Sequence, residues 1–469
     1  MNSISQIYNF ELEKIYKRVI SNDFSLNKFN SYIEMMDSLQ KNIAKSIREA
    51  IKLYFEQLDA NYCKSSIRRK NYYYSGTYIR TLITVFGEVQ FSRKYYYPKN
   101  SKGEGFYYVD DYLNLPKYDN YDPIIKSMVI EEKAKSTYAL AAEIVSKKIS
   151  EYSGQNINIS RQLAFNIFKE FEPDLEYLDI EDKELLNEDN LYIMLDEKYV
   201  HTQDYLDDKT SKAMIKHAVI YTGKELEYKN RYKLTNKQSF SILGETTQLV
   251  NKVQKFIDNN FNTDNIKNII ISGDGASWIM SFYKDFSLPN KKTKLFVLDP
   301  FHVGQAITRL TTDKLQRELL RNYIEDNRKK DFITLCESIL KIKPERKYYI
   351  NDNKKYIIDK WSKIQNAKND LFIGCPMESH ISHDLAKVFA RDPKAYSKKH
   401  LPKHILLREL NLNKYDLKSI YLYSNNFIEH VDNSIFSERL LKPNFIPLSN
   451  ANNSSALLII NGTDNILKL

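Results

Sequence analysis

Two aspartates stand where ordinary packing has no need of charge. Asp196 follows the run Leu191-Tyr192-Ile193-Met194-Leu195, and Asp274 follows Ile269-Ile270-Ile271-Ser272-Gly273. Each run reads as a buried strand, which puts each carboxylate at a C-terminal strand edge, where open α/β sheets gather their sites. A lone Asp at such a place is ordinarily a turn former or a cap. Two in one α/β unit repel each other, and burial raises their pKa values unless cations neutralise them. A divalent ion does this, and carboxylate oxygens suit a hard ion such as Mg²⁺, which leaves positions free for phosphate. Gly273 and Gly275 bracket Asp274, as if to leave space for something large or charged. A third carboxylate is expected on a helix after the strands, and Glu378 in "GCPMESHISHDLA" (374–386) answers to it. That stretch also permits a structural zinc reading through Cys375, His380 and His383, although no second Cys or His cluster completes a recognised spacing.

These side chains need a scaffold. Strand patterns fall at 191–196, 217–222, 226–233, 267–272 and 294–299, and helical patterns at 244–260, 276–285, 301–310 and 377–391. A long charged helical stretch runs from about 311 to 370. Upstream, residues 4–60 carry apolar positions at helical spacing without Gly or Pro and read as a helical lead-in. Leu82, Val85, Phe86, Val89 and Phe91 around Gly87 predict a β-hairpin. Its flanks interleave cations with rings, Arg68-Arg69-Lys70 on one side and Arg93-Lys94-Tyr95-Tyr96-Tyr97 on the other. Such a surface suits phosphates and bases, and it equally describes a solvated sheet face. Three amphipathic segments follow, with Asp122, Ser136 and Ser160 as N-caps. They suit a helix-turn-helix-like module whose reading face would be Ser160, Arg161, Gln162 and Asn166, although the linker before the third segment is longer than the usual tight turn and a plain helical bundle is the alternative. The expected organisation is a helical segment over 1–65, a hairpin with its basic and aromatic segment over 66–122, and the helical module over 123–178. An α/β domain over 190–392 follows, then a C-terminal region over 393–469 whose last 25 or so residues read as a weakly ordered tail.

At 469 residues the chain exceeds one ordinary core. Its 42% hydrophobic and 13% aromatic content supports a sizeable interior and excludes broad disorder. A net charge of +10 and pI near 9.0 favour a polyanionic partner without establishing one. Three scattered cysteines imply no disulfide framework. The first residues, "MNSISQIYNFELEKIYKRV", lack the apolar core of a signal peptide, and no run approaches the ~18 apolar residues of a membrane span. The expectation is a cytoplasmic protein with no membrane contact.

The blocks "LDEKYVH" (195–201), "GDGASWI" (273–279), "VLDPFHVGQAI" (297–307) and "GCPMESHISHDLA" resemble those of the ISLre-type bacterial insertion-sequence transposases, a group similar to the Mutator-type enzymes. The resemblance runs from "RKYYYP" near 93 to about 408. It departs at Ser379, where Gly is usual, and at Tyr396, where Trp is usual. It implies an RNase H-like catalytic domain with an Asp-Asp-Glu triad and a helical insertion before the Glu. Asp196, Asp274 and Glu378 would be that triad, and His302 of Asp299-Pro300-Phe301-His302 would lie near the scissile phosphate. The cofactor implied is a pair of Mg²⁺ (or Mn²⁺) ions, and Gly273 and Gly275 would let metal, water and phosphate reach Asp274. Double-stranded DNA, as element ends and target, is the implied partner. Arg161, Gln162, Asn166, Arg93 and Lys94 would contact it, in a homo-oligomer of at least two copies associated with the bacterial nucleoid. Two other readings stand beside this one: a DNA-binding copy without catalysis, and a two-metal nuclease that hydrolyses without strand transfer.

Overall fold

The computed structural model describes residues 31–99, 103–175, 184–203, 210–229, 231–290, 292–390 and 395–427. The first half of the helical lead-in and the C-terminal tail lie outside the described residues.

Helix α1 (Tyr32–Lys64) opens the described chain, capped by the Ser31 hydroxyl, which accepts from the Glu34 amide. It lies on an antiparallel hairpin of β1 (Tyr72–Thr84) and β2 (Gly87–Pro98), whose last pair is Thr84 with Gly87. A two-residue strand β3 (Phe106–Tyr107) extends this small sheet. The helical module follows as α2 (Pro123–Lys133), α3 (Tyr138–Ser153) and α4 (Arg161–Glu170). Asp122 and Ser160 cap α2 and α4 as expected. The cap of α3 is Thr137, whose hydroxyl accepts from the Leu140 amide, whereas the Ser136 hydroxyl turns back to the Glu132 carbonyl.

The α/β part is a mixed sheet of β4 (Asn190–Gln203), β5 (Thr210–Tyr221), β8 (Gln238–Ile242), β9 (Asn268–Gly273) and β10 (Thr293–Leu298), with the short β11 (Tyr396–Ser397) against the end of β4. The spatial order is β8-β5-β4-β9-β10: β4, β5 and β8 form an antiparallel meander, and β9 and β10 run parallel to β4. Strand alternation divides β4 between two cores. Leu191, Ile193 and Leu195 face α5 (Thr246–Asn260), α6 (Ser277–Asp285) and α7 (Pro300–Leu310). Tyr192 and Met194 face Met377, Ile381, Leu385 and Ile405. Each fully buried Ile or Leu here contributes about 1.5–3 kcal/mol, so both faces are strongly fixed.

The insertion before Glu378 forms α8 (Lys314–Glu325), α9 (Lys329–Ile342) and α10 (Lys347–Asp359), and its Leu320, Phe332, Ile350 and Trp361 join the first of those cores. The 226–233 stretch is not one strand. Lys229 takes a left-handed φ of +48° and divides it into β6 (Gly223–Tyr228) and β7 (Arg231–Thr235), a ribbon outside the main sheet. Helices α11 (Leu401–Leu412) and α12 (Leu417–Ser424) return to the helical module, where Leu407, Leu410, Leu417 and Ile420 share a core with Ile130, Val145 and Phe168. The module is therefore completed by the C-terminal region. Among the described residues, no helix is long and apolar enough to cross a membrane.

Candidate functional site

Asp196 does not end its strand. The parallel pairing of β4 with β9 stops at Met194 and Ser272, while β4 continues along β5 to Gln203, with Asp196 directly opposite His217. The antiparallel partner carries the strand onward after the parallel neighbours have turned away. Asp196 thus sits on a projecting ribbon, level with the loops that follow β9 and β10.

Those loops bring the other groups to it. Asp299 follows β10 and caps α7, accepting from the Phe301 amide at 2.9 Å, and His302 comes one turn later on that helix. Glu378 is the second residue of a helical turn, Met377–His380, that packs on the opposite face through the buried Met377. One ligand atom from each of Asp196, His302 and Glu378 lies within 4.8 Å of the others, and among the described residues this is the sole such group. Glu378 is exposed, while Asp196 and His302 are partly buried. Burial, with added repulsion from Glu197 and Asp274, pushes the Asp196 carboxyl up to about 7, although the Glu197 amide and His302 act against the shift. Burial also raises Asp299, reinforced by Glu378 and Asp274, and raises Glu197, whose carboxylate accepts from the Trp278 indole at 2.7 Å. The patch is a set of carboxylates with too little positive charge among them.

Asp274 stands beside this group without entering its closest set. Its carboxylate accepts from the Ala276 amide at 2.8 Å, and its charge reaches Asp196, Glu197 and Asp299. Its main-chain carbonyl is held by the insertion: the Tyr356 hydroxyl donates at 2.8 Å and the Lys360 ammonium at 3.2 Å. The glycines have a different use from the one expected. A Cβ on Gly273 would lie 2.8 Å from the Leu195 carbonyl oxygen, and Gly275 adopts φ +76° with Lys360 packed against it. They admit a neighbouring strand and a left-handed turn, not an incoming ligand.

Glu378 is held through the π-helical turn that follows it, Ile381–Ala386. Asp384 on this turn is buried and accepts from Lys237 at 3.0 Å, with His380 at 3.4 Å and His217 at 3.7 Å, so its carboxyl lies far below the usual range despite burial. Arg408 donates to the main-chain carbonyls of His383 and Asp384 from α11. The zinc reading is not supported by this arrangement. His380 Nδ1 meets Lys237 at 2.9 Å, and Cys375, His380 and His383 do not form a ligand group. Cys375 instead has a thiol pushed up by burial and by Asp299 and Asp196.

On α4, Arg161, Gln162 and Asn166 are exposed, with Gln162 donating to Asn166 at 2.9 Å. Arg93 and Lys94 are placed differently from the expectation of free surface cations. Arg93 pairs with Asp110, itself held by Arg80 at 2.7 Å, and its guanidinium lies 3.6 Å from the Tyr107 ring centroid. Lys94 donates to the buried Asp59 of α1 at 2.9 Å. Burial of acidic partners turns both side chains inward. Sequence reasoning misses Tyr356, Lys360, Glu197 and the Asp384–His217 pair; of these, only Glu197 carries a signal, as the neighbour of Asp196.

Fold and site together define a mixed α/β protein with a carboxylate–imidazole cluster at the level where its parallel strands end. Residues 25–421 match the family described as "Uncharacterised protein family (UPF0236)", and the chain belongs to that family. UPF0236 protein TTE2489 of Caldanaerobacter subterraneus subsp. tengcongensis is 27% identical over 401 residues, spanning 84% of this chain and 82% of the relative. A second relative from that organism, whose name carries eleven locus tags from TTE0033 to TTE2212, is 26% identical over 417 residues, 87% of this chain and 83% of its own. Among solved structures, the Drosophila P element transposase strand transfer complex is similar at 11% identity and a TM-score of 0.25, covering 69% of this chain and 86% of that one.

Proposed function

We propose that this protein is an ISLre-type insertion-sequence transposase, cutting and joining DNA ends at the cluster of Asp196, Asp274, His302 and Glu378. The observation that carries the reading is the meeting of Asp196, His302 and Glu378 within 4.8 Å from three separate elements. Burial raises the Asp196 carboxyl, and a cation shared with Glu378 and His302 would relieve that cost. The strand order and directions support an RNase H-like domain, with its antiparallel first three strands and two parallel ones after them. The eleven loci carried by one relative's name in a single organism are what a self-copying element leaves behind.

The donor set suits a pair of hard divalent ions, since it offers several carboxylate oxygens and its least solvated member, Asp196, is short of positive charge. The imidazole of His302 tilts the preference toward Mn²⁺ over Mg²⁺. Asp196, His302 and Glu378 would hold metal, with Asp274 alongside. Bound ions supply an acidified nucleophile and charge neutralisation at the leaving oxygen. The residues of the chain do the placing: β4 fixes Asp196, the insertion fixes Asp274, and the Asp384 network fixes the turn carrying Glu378. Helix α4 would read the element's ends through Arg161, Gln162 and Asn166, and joining two ends calls for at least two copies. The test is divalent-ion-dependent nicking and joining of an end-containing duplex by wild type and by Asp196→Asn, Asp274→Asn and Glu378→Gln. Activity lost in each variant, with duplex binding retained, is expected. Undiminished cleavage in Asp196→Asn rejects the assignment, and nicking without joining moves the protein to the nucleases.

A further inference from the structure

Beside the acidic cluster, α7 and α8 flank an open cleft of about 430 Å³. Phe301, Gln305, Thr308 and Arg309 of α7 line one wall, and Arg321 of α8 lines the other. No carboxylate lines it. Arg309 makes a hydrogen bond of 3.3 Å to Gln305, and neither guanidinium pairs with an acidic side chain among the described residues. Both arginines are exposed, and so is Phe301, an aromatic ring 42% accessible at the mouth. Gly304 lies between them with open space where a Cβ would be, so the α7 backbone itself forms the floor.

Resting on the reading above, we infer that this cleft holds the phosphodiester backbone of the DNA strand flanking the reacting phosphate. His302 belongs to the acidic cluster and Phe301, its neighbour in sequence, opens the cleft, so the two sites share one helix and a single strand can pass from one to the other. The seven-residue step from Phe301 to Thr308 advances about 10 Å along the helix, or roughly three nucleotide steps of one duplex strand at ~3.4 Å each. Two unpaired guanidiniums present forks that match phosphate oxygens. Phe301 offers a face on which a base can stack where the strand leaves the duplex. The charge balance answers a physical need: a polyanion brought to a cluster of carboxylates requires cations close by that the cluster has not already consumed.

The experiment measures binding of wild type, Arg309→Ala/Arg321→Ala and Phe301→Ala to an end-containing duplex and to random duplex, by fluorescence anisotropy across a salt series with EDTA present. Far-UV circular dichroism confirms the fold of each variant. The double variant is expected to bind both duplexes more weakly, with the slope of log affinity against log salt reduced by about 0.9 for each phosphate that is no longer neutralised. Arg309→Lys/Arg321→Lys is expected to recover most of the slope, because charge is kept. Phe301→Ala is expected to weaken binding to a duplex with a frayed or nicked end more than to an intact one. A slope unchanged in the double variant, with wild type binding normally, overturns the cleft while leaving the proposed activity in place. Wild type binding neither duplex overturns both.

Discussion

The Tyr356 hydroxyl donates to the main-chain carbonyl of Asp274 over 2.8 Å, joining the last long helix of the insertion to the loop after β9. Lys360, one turn on, reaches the same oxygen and lies 3.8 Å from the Tyr356 ring centroid. The insertion therefore grips the Asp274 turn at its backbone and leaves the carboxylate to face the cluster. Tyr356→Phe is expected to lower Mn²⁺ affinity about tenfold or more, the usual cost of removing a group that orients a ligand. Isothermal titration with Mn²⁺ measures it, and Tm in EDTA separates it from a loss of folding: a fall in Tm without a change in affinity assigns Tyr356 to structure alone.

Asp122 gives a pH dependence of known sign. It caps α2 by accepting from the Ile125 amide at 2.8 Å, and burial pushes its carboxyl up to about 6 in spite of that bond. Its contribution to stability is complete at pH values below the unfolded pKa and is lost as pH rises through 6. Asn keeps the cap and cannot ionise. Asp122→Asn should therefore raise stability at pH 8, by roughly 1–3 kcal/mol given ~1.4 kcal/mol for each tenfold change in proton affinity, and change little at pH 4. Chemical denaturation at the two pH values checks this.

Lys94→Ala is expected to cost about 3 kcal/mol, because it leaves Asp59 buried without its cation. Among the described residues, Asp59 is fully buried and otherwise accepts from the Lys94 amide and the Tyr96 hydroxyl. The same substitution should leave the salt slope of duplex binding unchanged once folded protein is measured. A lowered slope with normal stability would return Lys94 to the DNA.

Replacing Arg161 and Gln162 by Ala should lower the preference for element ends over random duplex by about tenfold or more, at ~1–3 kcal/mol for each base edge that goes unread. Their exposed positions on α4 predict no loss of stability, and competition binding with the two duplexes reads the result.

Much of the α/β scaffold is legible in the sequence. The apolar run "NIIIS" and its counterpart before Asp196 announce β9 and the first half of β4, because a strand covered on both faces needs apolar residues at every position. The second half of β4, "EKYVHTQ", is invisible to that criterion, since it pairs with β5 and buries only alternate residues, Val200 and Thr202. Strand β8, "QSFSI", has too few apolar residues to stand out; its edge amides are taken by Asn413 and Glu409 from more than 160 residues away. The hairpin cations mislead for a related reason. Alternating Arg, Lys and Tyr look the same in sequence whether they meet water or a buried carboxylate on another helix. Tyr356 and Lys360 lie in a charged helical stretch, and nothing local tells that one turn of it faces a carbonyl 82 residues earlier.

The core uniting α2, α3 and α4 with α11 and α12 has a consequence in time. Asp196 and Glu378 are 182 residues apart (378 − 196), and Leu407 to Tyr421 come later still. At roughly 5–20 residues per second, a ribosome takes about 10–40 s to pass from the first carboxylate to the second. During that interval the emerging chain has the reading helix without the helices that complete its core, and it has Asp196 without Glu378. Helices α11 and α12 follow Glu378 closely, so a chain released before Glu378 has neither a complete acidic cluster nor a complete helical module, and one released just after it still lacks the module's last helices.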